Sequence, residues 1–247
     1  SNDDDDTIRF SAGLSNSVIG LVAGELEIIE ALAIDASNLR ANVSIDAQHG
    51  SRVLNYTASS GDLTLKNIAV KGGYTSGDNS SDPIPILEST YSGAGIRFLS
   101  DGILTLVDCK IHRNSALATY VYGGGIFADS GTVALIDSAV SENIASGSFS
   151  LGGGIFANSG LVNAINSTLN ENTSVSDSST NSSASGGGIF TRSGPISLTT
   201  TTLSGNSASS RGGGISTSRG TITLTNSTIT GNSTLGVGGG VYVFRNL

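Results

Sequence analysis

Residues 220–232 read GTITLTNSTITGN, and close copies of this stretch recur through the chain. The copies are GILTLVDCKIHRN, GTVALIDSAVSEN, GLVNAINSTLNEN and GPISLTTTTLSGN, at residues 102–114, 131–143, 160–172 and 194–206. In all five, Asn lies twelve positions after Gly, and an aliphatic residue or alanine occupies the second, fourth and ninth positions after that Gly. A repeat of this length predicts a solenoid whose length grows by stacking similar units.

A second fixed piece precedes each copy. It is GAGI ending at Ile96, GGGI ending at Ile126, Ile155, Ile189 and Ile215, and GGGV ending at Val241. Apolar residues alternate with Thr, Ser and Asn between these glycines, which is the period of a half-buried strand. Helical repeats are excluded, because this alternation interrupted by glycine does not suit a helix.

The alternation also predicts which side chains point inward. Parallel strands of successive coils stack about 4.8 Å apart, so equivalent residues form columns. The inward columns are Leu104, Val133, Val162, Ile196 and Ile222; Leu106, Leu135, Ala164, Leu198 and Leu224; Ile111, Val140, Leu169, Leu203 and Ile229; and Ile96, Ile126, Ile155, Ile189, Ile215 and Val241. We therefore predict an all-β, single-stranded, right-handed parallel β-helix with three strands per coil and roughly eight or nine coils.

The whole chain, residues 1–247, is predicted to form this one domain. Residues 1–60 are expected to form irregular N-terminal coils, because terminal repeats of solenoids are atypical. Residues 61–94 form a coil with a long inserted loop at 72–92, and residues 95–247 form the regular repeats, with the last coil incomplete. The connection from each Asn to the next glycine triplet varies in length, so loops are expected along one edge.

Composition excludes several classes of function. The formal net charge of −8 at pH 7 argues against nucleic acid, whose phosphates require a basic surface. The single cysteine excludes an internal disulfide framework. No apolar run approaches the roughly 18 residues that span a bilayer, so no membrane insertion is expected from this segment.

A column of turn residues lies between the second and third strands of each repeat. It contains Asn67, Asp108, Asp137, Asn166, Thr200 and Asn226. Asn and Asp tolerate the left-handed backbone of a sharp bend, so we interpret this column as a structural turn ladder. A calcium ladder would need more carboxylates than these two, and no metal site is predicted.

One column is the candidate binding site. The residues after the GGGI aliphatic include Phe127, Phe156, Phe190 and Tyr242. If the preceding aliphatic points inward, these rings point outward and form an exposed aromatic stripe that could bind sugar rings or another molecule. The alternative is that the rings stack on one another beneath the variable loops.

No catalytic constellation is visible, and no cofactor is predicted. Carbohydrate-cleaving enzymes need paired carboxylates, or carboxylates with a nearby base, on one face. Here the charges of the repeats are scattered, and only His49 and His112 could serve as histidine bases. Cys109 occupies a column of small residues with Ser138, Ser167, Thr201 and Ser227, which indicates a buried, inert thiol. An ice-binding face would need a regular array of threonines. The corresponding outward column contains different residue types, so no ice-binding face is predicted: Thr64, Thr105, Ala134, Asn163, Ser197 and Thr223.

The GGGI pieces and the aliphatic-x-x-Asn segments, such as Ile229 to Asn232, resemble the GGA(I/L) and FxxN repeats of bacterial polymorphic outer membrane proteins. Here an aliphatic residue replaces the Phe of FxxN. The resemblance implies a secreted or cell-surface protein used for adhesion or extracellular structure. We therefore predict a non-enzymatic extracellular structural or adhesive module that associates with itself, end to end or laterally. The alternative is a β-helix that binds or modifies carbohydrate, with cell-surface glycans as partners.

Overall fold

The computed structural model describes residues 6–78, 80, 90–177 and 183–244, which form a right-handed parallel β-helix. The strands of each coil pair with the equivalent strands of the next coil, always in parallel. The only helix in this part of the chain is a short 3₁₀ turn at Ala12–Leu14. The predicted fold class is confirmed.

The first three coils contain ten strands. They are β1 (Asp6–Arg9), β2 (Val18–Gly20) and β3 (Leu26–Ile28); β4 (Leu32–Asp35), β5 (Val43–Asp46) and β6 (Leu54–Tyr56); and β7 (Leu63–Lys66), β8 (Ile68–Lys71), β9 (Tyr74–Ser76) and β10 (Ile96–Phe98).

The next three coils have five strands each. They are β11 (Ile103–Val107), β12 (Lys110–His112), β13 (Ser115–Leu117), β14 (Tyr120–Tyr122) and β15 (Ile126–Ala128); β16 (Thr132–Ile136), β17 (Ala139–Ser141), β18 (Ile144–Ser146), β19 (Phe149–Leu151) and β20 (Ile155–Ala157); and β21 (Val162–Ile165), β22 (Thr168–Asn170), β23 (Thr173–Val175), β24 (Ser183–Ser185) and β25 (Ile189–Thr191).

The last two coils have four strands each. They are β26 (Ile196–Thr199), β27 (Thr202–Ser204), β28 (Ser207–Ala208) and β29 (Ile215–Thr217); and β30 (Ile222–Thr225), β31 (Thr228–Thr230), β32 (Ser233–Thr234) and β33 (Val241–Val243). Three sheets of eight strands run through all eight coils; they begin at β1, β2 and β3.

The predicted inward columns are confirmed by the strand register. Ile126 pairs with Ile155, Ile155 with Ile189, and Ile189 with Ile215, and all four side chains are fully buried. The other three columns stack in the same way, and their members belong to one continuous hydrophobic core up to the seventh coil. In the eighth coil the same columns are more exposed; Leu224 is 44% exposed.

The connections along one edge contain strands that sequence reasoning missed. A fourth sheet consists of β9, β13, β18, β23, β28 and β32, and a fifth consists of β14, β19 and β24. Tyr74–Ser76 therefore lies in a sheet, although 72–92 is predicted as a loop; Asp82, Pro83 and Pro85 lie outside the described residues. These strands point small residues such as Ala116 and Ala145 inward, and their low β-propensity concealed the pattern.

A ladder of buried asparagines joins the coils. In Asn143, Nδ2 donates to Oδ1 of Asn172 at 2.9 Å and to the carbonyl of Ile111 at 2.9 Å. Its Oδ1 accepts from the backbone N–H and from Nδ2 of Asn114. The same bonds recur at Asn114, Asn172 and Asn206, and the series reaches Asn232. The glycine triplets make room for this ladder, since a Cβ on Gly125 would lie 2.9 Å from the Asn143 amide.

A second ladder contains the cysteine. The backbone N–H of Cys109 donates to Oγ of Ser138, whose own N–H donates to Oγ of Ser167. The Cys109 thiol donates to the carbonyls of Leu65 and Val107, and burial raises its pKa to about 12. The thiol is therefore protonated at neutral pH and is a poor nucleophile.

Candidate functional site

Three phenylalanines stack on the outward side of the third long sheet. Phe127, Phe156 and Phe190 follow the inward isoleucines of β15, β20 and β25, so they point away from the main core. Their ring centroids are 5.5 and 5.7 Å apart, with the rings within 3° of parallel. The stack repeats because parallel coils in register place identical side chains directly above one another.

The expectation that these rings form an exposed stripe is wrong. Phe127, Phe156 and Phe190 are 0%, 1% and 5% exposed. The fifth sheet covers them: the Tyr122 ring lies 4.9 Å from that of Phe156, and Leu151 packs against the same cluster. The alternative, that the rings stack on one another beneath the connections, describes what is observed. Tyr242, the fourth predicted residue, is half-buried in the eighth coil.

The aromatic cover stops because three columns change from large residues to serine. In the fifth sheet, Tyr120 and Phe149 are followed in register by Ser183, and Tyr122 and Leu151 by Ser185. In the third long sheet, Phe156 and Phe190 are followed by Ser216. The change from large residues to serine is present in the sequence. It can be recognised only when the connections are aligned with one another as strands.

A cleft of about 480 Å³ opens where the three columns change. Aromatic rings form its wall toward the earlier coils, and the serines form part of its surface. The side chains that line it include Phe149, Phe190, Ser183, Ser185, Ser216, Ser218, Tyr242 and Phe244. Phe190 and Tyr242 are two coils apart, about 10 Å at the usual spacing, and Ser216 lies between them, 2% exposed.

Arg211 is the charged residue of the cleft. It continues the column of Ser185 into the seventh coil, and its side chain is exposed. Its guanidinium carbon lies 5.7 Å from the centroid of the Tyr242 ring, which is within the range of a cation–π contact. The arrangement can thus bind a ring by stacking and a hydroxyl or anion by hydrogen bonds from serine and arginine.

The turn ladder lies apart from this cleft, along another corner of the stack. Asn67, Asp108, Asp137, Asn166 and Asn226, together with Thr200, have φ between 49° and 56°. Asn166 donates to Asp137, and Asn42 donates to Oδ1 of Asn67 at 2.9 Å. These contacts between coils stabilise the bends, since left-handed backbone is otherwise unfavourable. A shallow hollow of about 410 Å³ lies beside Asn67, Asp108 and Asp137.

The two histidines lie on separate coils. His112 is half-buried on β12, and burial, with Arg113 and Lys71 nearby, lowers its pKa. His49 lies in the turn after β5, two coils before His112. Across residues 6–78, 80, 90–177 and 183–244, no three His, Cys, Asp or Glu side chains gather as ligands of a metal would.

A buried arginine was not anticipated from the sequence. Arg52 is 4% exposed and forms an ion pair with Glu25 at 2.8 Å. It also donates to the carbonyls of Thr90, Ser92 and Gly93, and burial lowers its pKa to about 10. These bonds fasten the connection before β10 to the second coil, so we assign Arg52 a structural role.

Residues 200–218 match the model of the Chlamydia polymorphic membrane protein repeat. This segment is similar to the polymorphic membrane protein repeat. The matched residues include the Leu203-to-Asn206 segment and the glycine triplet before Ile215, which were the basis of the predicted resemblance. No curated protein and no solved structure matches the chain.

Polymorphic membrane proteins are bacterial surface proteins, and their repeat is compatible with the β-helix architecture of this chain. The repeat family consists of surface proteins rather than enzymes. Within the described residues, no helix is long and apolar enough to cross a membrane.

Proposed function

We propose that this protein is a non-enzymatic adhesion module of a bacterial surface, and that its aromatic cleft binds carbohydrate. The observation that carries the proposal is the change of three aligned columns to serine, beside which lies a cleft of about 480 Å³ lined by aromatic rings. Aromatic rings stack on the apolar faces of sugars, and serine hydroxyls match sugar hydroxyls.

The stack provides a suitable support for such a site. The cleft is formed by side chains of strands whose backbones pair in register across three coils. The asparagine ladder runs through the same coils and is fully hydrogen-bonded inside the core. A site on paired strands is held more rigidly than a site on loops, so less conformational entropy is lost on binding.

The test is binding of the purified protein to a panel of immobilised neutral and acidic glycans. We expect binding by the wild type and a loss of at least tenfold in Tyr242→Ala and in Ser216→Phe, which fills the cleft. Tyr74→Ala is the matched control, since Tyr74 is half-buried on β9 in another sheet. Absence of binding to every glycan, or equal binding by all variants, would overturn the proposal. Circular dichroism verifies that each variant is folded.

Self-association is a second part of the proposal. The outward column of the first long sheet contains the small residues Thr64, Thr105, Ala134, Asn163, Ser197 and Thr223, in register. A row of small, uncharged side chains permits close lateral packing of two copies. Sedimentation velocity should then detect concentration-dependent dimers that Asn163→Lys abolishes. A monomer at all concentrations would exclude this part.

A further inference from the structure

The aromatic cleft continues into a second, smaller hollow. That hollow has a volume of about 200 Å³ and is lined by Arg192, Ser218, Arg219 and Phe244. Ser218 and Phe244 also line the aromatic cleft, so the two spaces share a wall. Together they place three arginines beside one aromatic surface: Arg192 after β25, and Arg211 and Arg219 on either side of β29.

The three arginines carry positive charge that nothing in the described chain neutralises. All three side chains are exposed, and none forms an ion pair with a described residue. No described Asp or Glu lines either hollow. In the column of Arg192, the acidic residue is Asp129, two coils earlier, and its carboxylate accepts hydrogen bonds from Asn158 and Ser130.

This concentration of positive charge contrasts with the rest of the protein. The chain has a formal net charge of −8 with only twelve Lys and Arg residues, and three of the arginines lie at this one place. Guanidinium groups bind carboxylates and sulfates with paired hydrogen bonds. A cationic spot on an acidic protein favours an anionic ligand with a local charge, because the overall field repels a long polyanion.

We propose that the two hollows together bind a short acidic oligosaccharide, one that carries carboxylates or sulfates on its sugar rings. This inference rests on the proposed carbohydrate-binding function and adds the class of sugar. A sugar ring contacts the exposed face of Phe244 and Tyr242, and the anionic groups contact Arg211 and the pair Arg192 and Arg219. The serines of the cleft, which carry hydroxyls and no charge, favour a sugar over an acidic peptide.

The experiment measures the affinity of the full chain for neutral, carboxylated and sulfated oligosaccharides of equal length, at low and high salt. We expect acidic oligosaccharides to bind at least tenfold more tightly than neutral ones at low salt, with the difference shrinking as salt rises. The double variant Arg192→Gln/Arg219→Gln, which retains Arg211, should lose most of that preference and keep its affinity for neutral sugar. Arg40→Gln is the matched control, since Arg40 is exposed in the turn region between β4 and β5, away from both hollows.

The outcomes separate this inference from the function on which it rests. Binding of neutral sugars without any preference for acidic ones would overturn the inference and leave the carbohydrate site intact. Binding of no sugar at all would overturn both. Equal, arginine-dependent binding of a short single-stranded DNA or an acidic peptide would also overturn the inference, because the site would then recognise charge alone. The carboxylated and sulfated arms identify which anionic group is preferred.

Discussion

The outer edge of the β-helix is built in two ways that share one backbone. In the fourth and fifth coils, Phe127 and Phe156 are buried beneath Tyr122 and Leu151. In the sixth and seventh coils, the same strand register brings Ser185 and Ser216 to the equivalent positions, and a cleft opens. This fold can therefore open a cleft by replacing large side chains with small ones, without any change of backbone path.

The largest effect is expected from removing a ring of the closed region. Phe156 contacts Phe127, Phe190 and Tyr122 and is 1% exposed, so Phe156→Ala should leave a cavity and lower the free energy of unfolding by about 4 kcal/mol. Phe244→Ala, which removes a ring that is 45% exposed beside the cleft, should cost about 1 kcal/mol or less. Urea unfolding measures both, and equal losses would contradict the distinction between the two regions.

A smaller loss, equal in both regions, is expected from breaking the asparagine ladder. Asn143 lies beneath the closed region and Asn206 beneath the open one, and their amides make the same pattern of bonds. Either change to alanine leaves buried backbone and amide groups without partners, which should destabilise the protein by about 3 kcal/mol. The comparison of the two urea midpoints is the measurement. A loss confined to one variant would indicate that the regions differ in their core as well as in their cover.

Adding a ring to the open region should destabilise the protein modestly. Ser216 is flanked in its column by Phe190 and Tyr242, and it is 2% exposed, so a larger side chain there must displace its neighbours. We therefore expect Ser216→Phe to lower the free energy of unfolding by about 1 kcal/mol. Ser216→Ala is the control and should change stability by about 0.5 kcal/mol or less. A gain in stability by the Phe variant would mean that the position is vacant.

The smallest effect concerns pH. Burial, opposed by Arg192 and assisted by Tyr120, raises the pKa of Tyr122 in the closed region. An unfolded tyrosine loses its proton near pH 10, so the contribution of Tyr122 is fully present below that value. As pH rises further, the unfolded state releases its proton first, and stability falls until the folded Tyr122 ionises too. Tyr122→Phe should show a smaller fall in urea midpoint between pH 9 and 11; an identical fall would refute the shift.

Much of the fold could be predicted because the repeats are regular. The columns of Ile126 and Leu104 follow from strict alternation and from the fixed distance between Gly and Asn. The fourth and fifth sheets could not be predicted from the sequence. Their strands are short, and small residues such as Ala116, Ala145 and Ser174 are as typical of loops as of strands. Those missed sheets are also why the phenylalanines were predicted to be exposed.

The candidate site was partly visible in the sequence. Tyr242 belongs to the predicted stripe and does line the cleft, whereas Phe127 and Phe156 lie buried behind it. Arg211 and the serines were not identified, because their relation to Phe149 and Tyr122 depends on connections of different length being paired. The connections differ in length, so their strand register cannot be derived from sequence spacing. The hydrogen bonds of the fifth sheet show that register.

The change from aromatic residues to serine involves only three columns, and each coil contacts just the coils on either side of it. Duplicating or deleting one repeat before the cleft would therefore shift the recognition point along the rod by a single step, with its chemistry unaltered. Relatives with different numbers of repeats would then carry the proposed site at different distances along the rod.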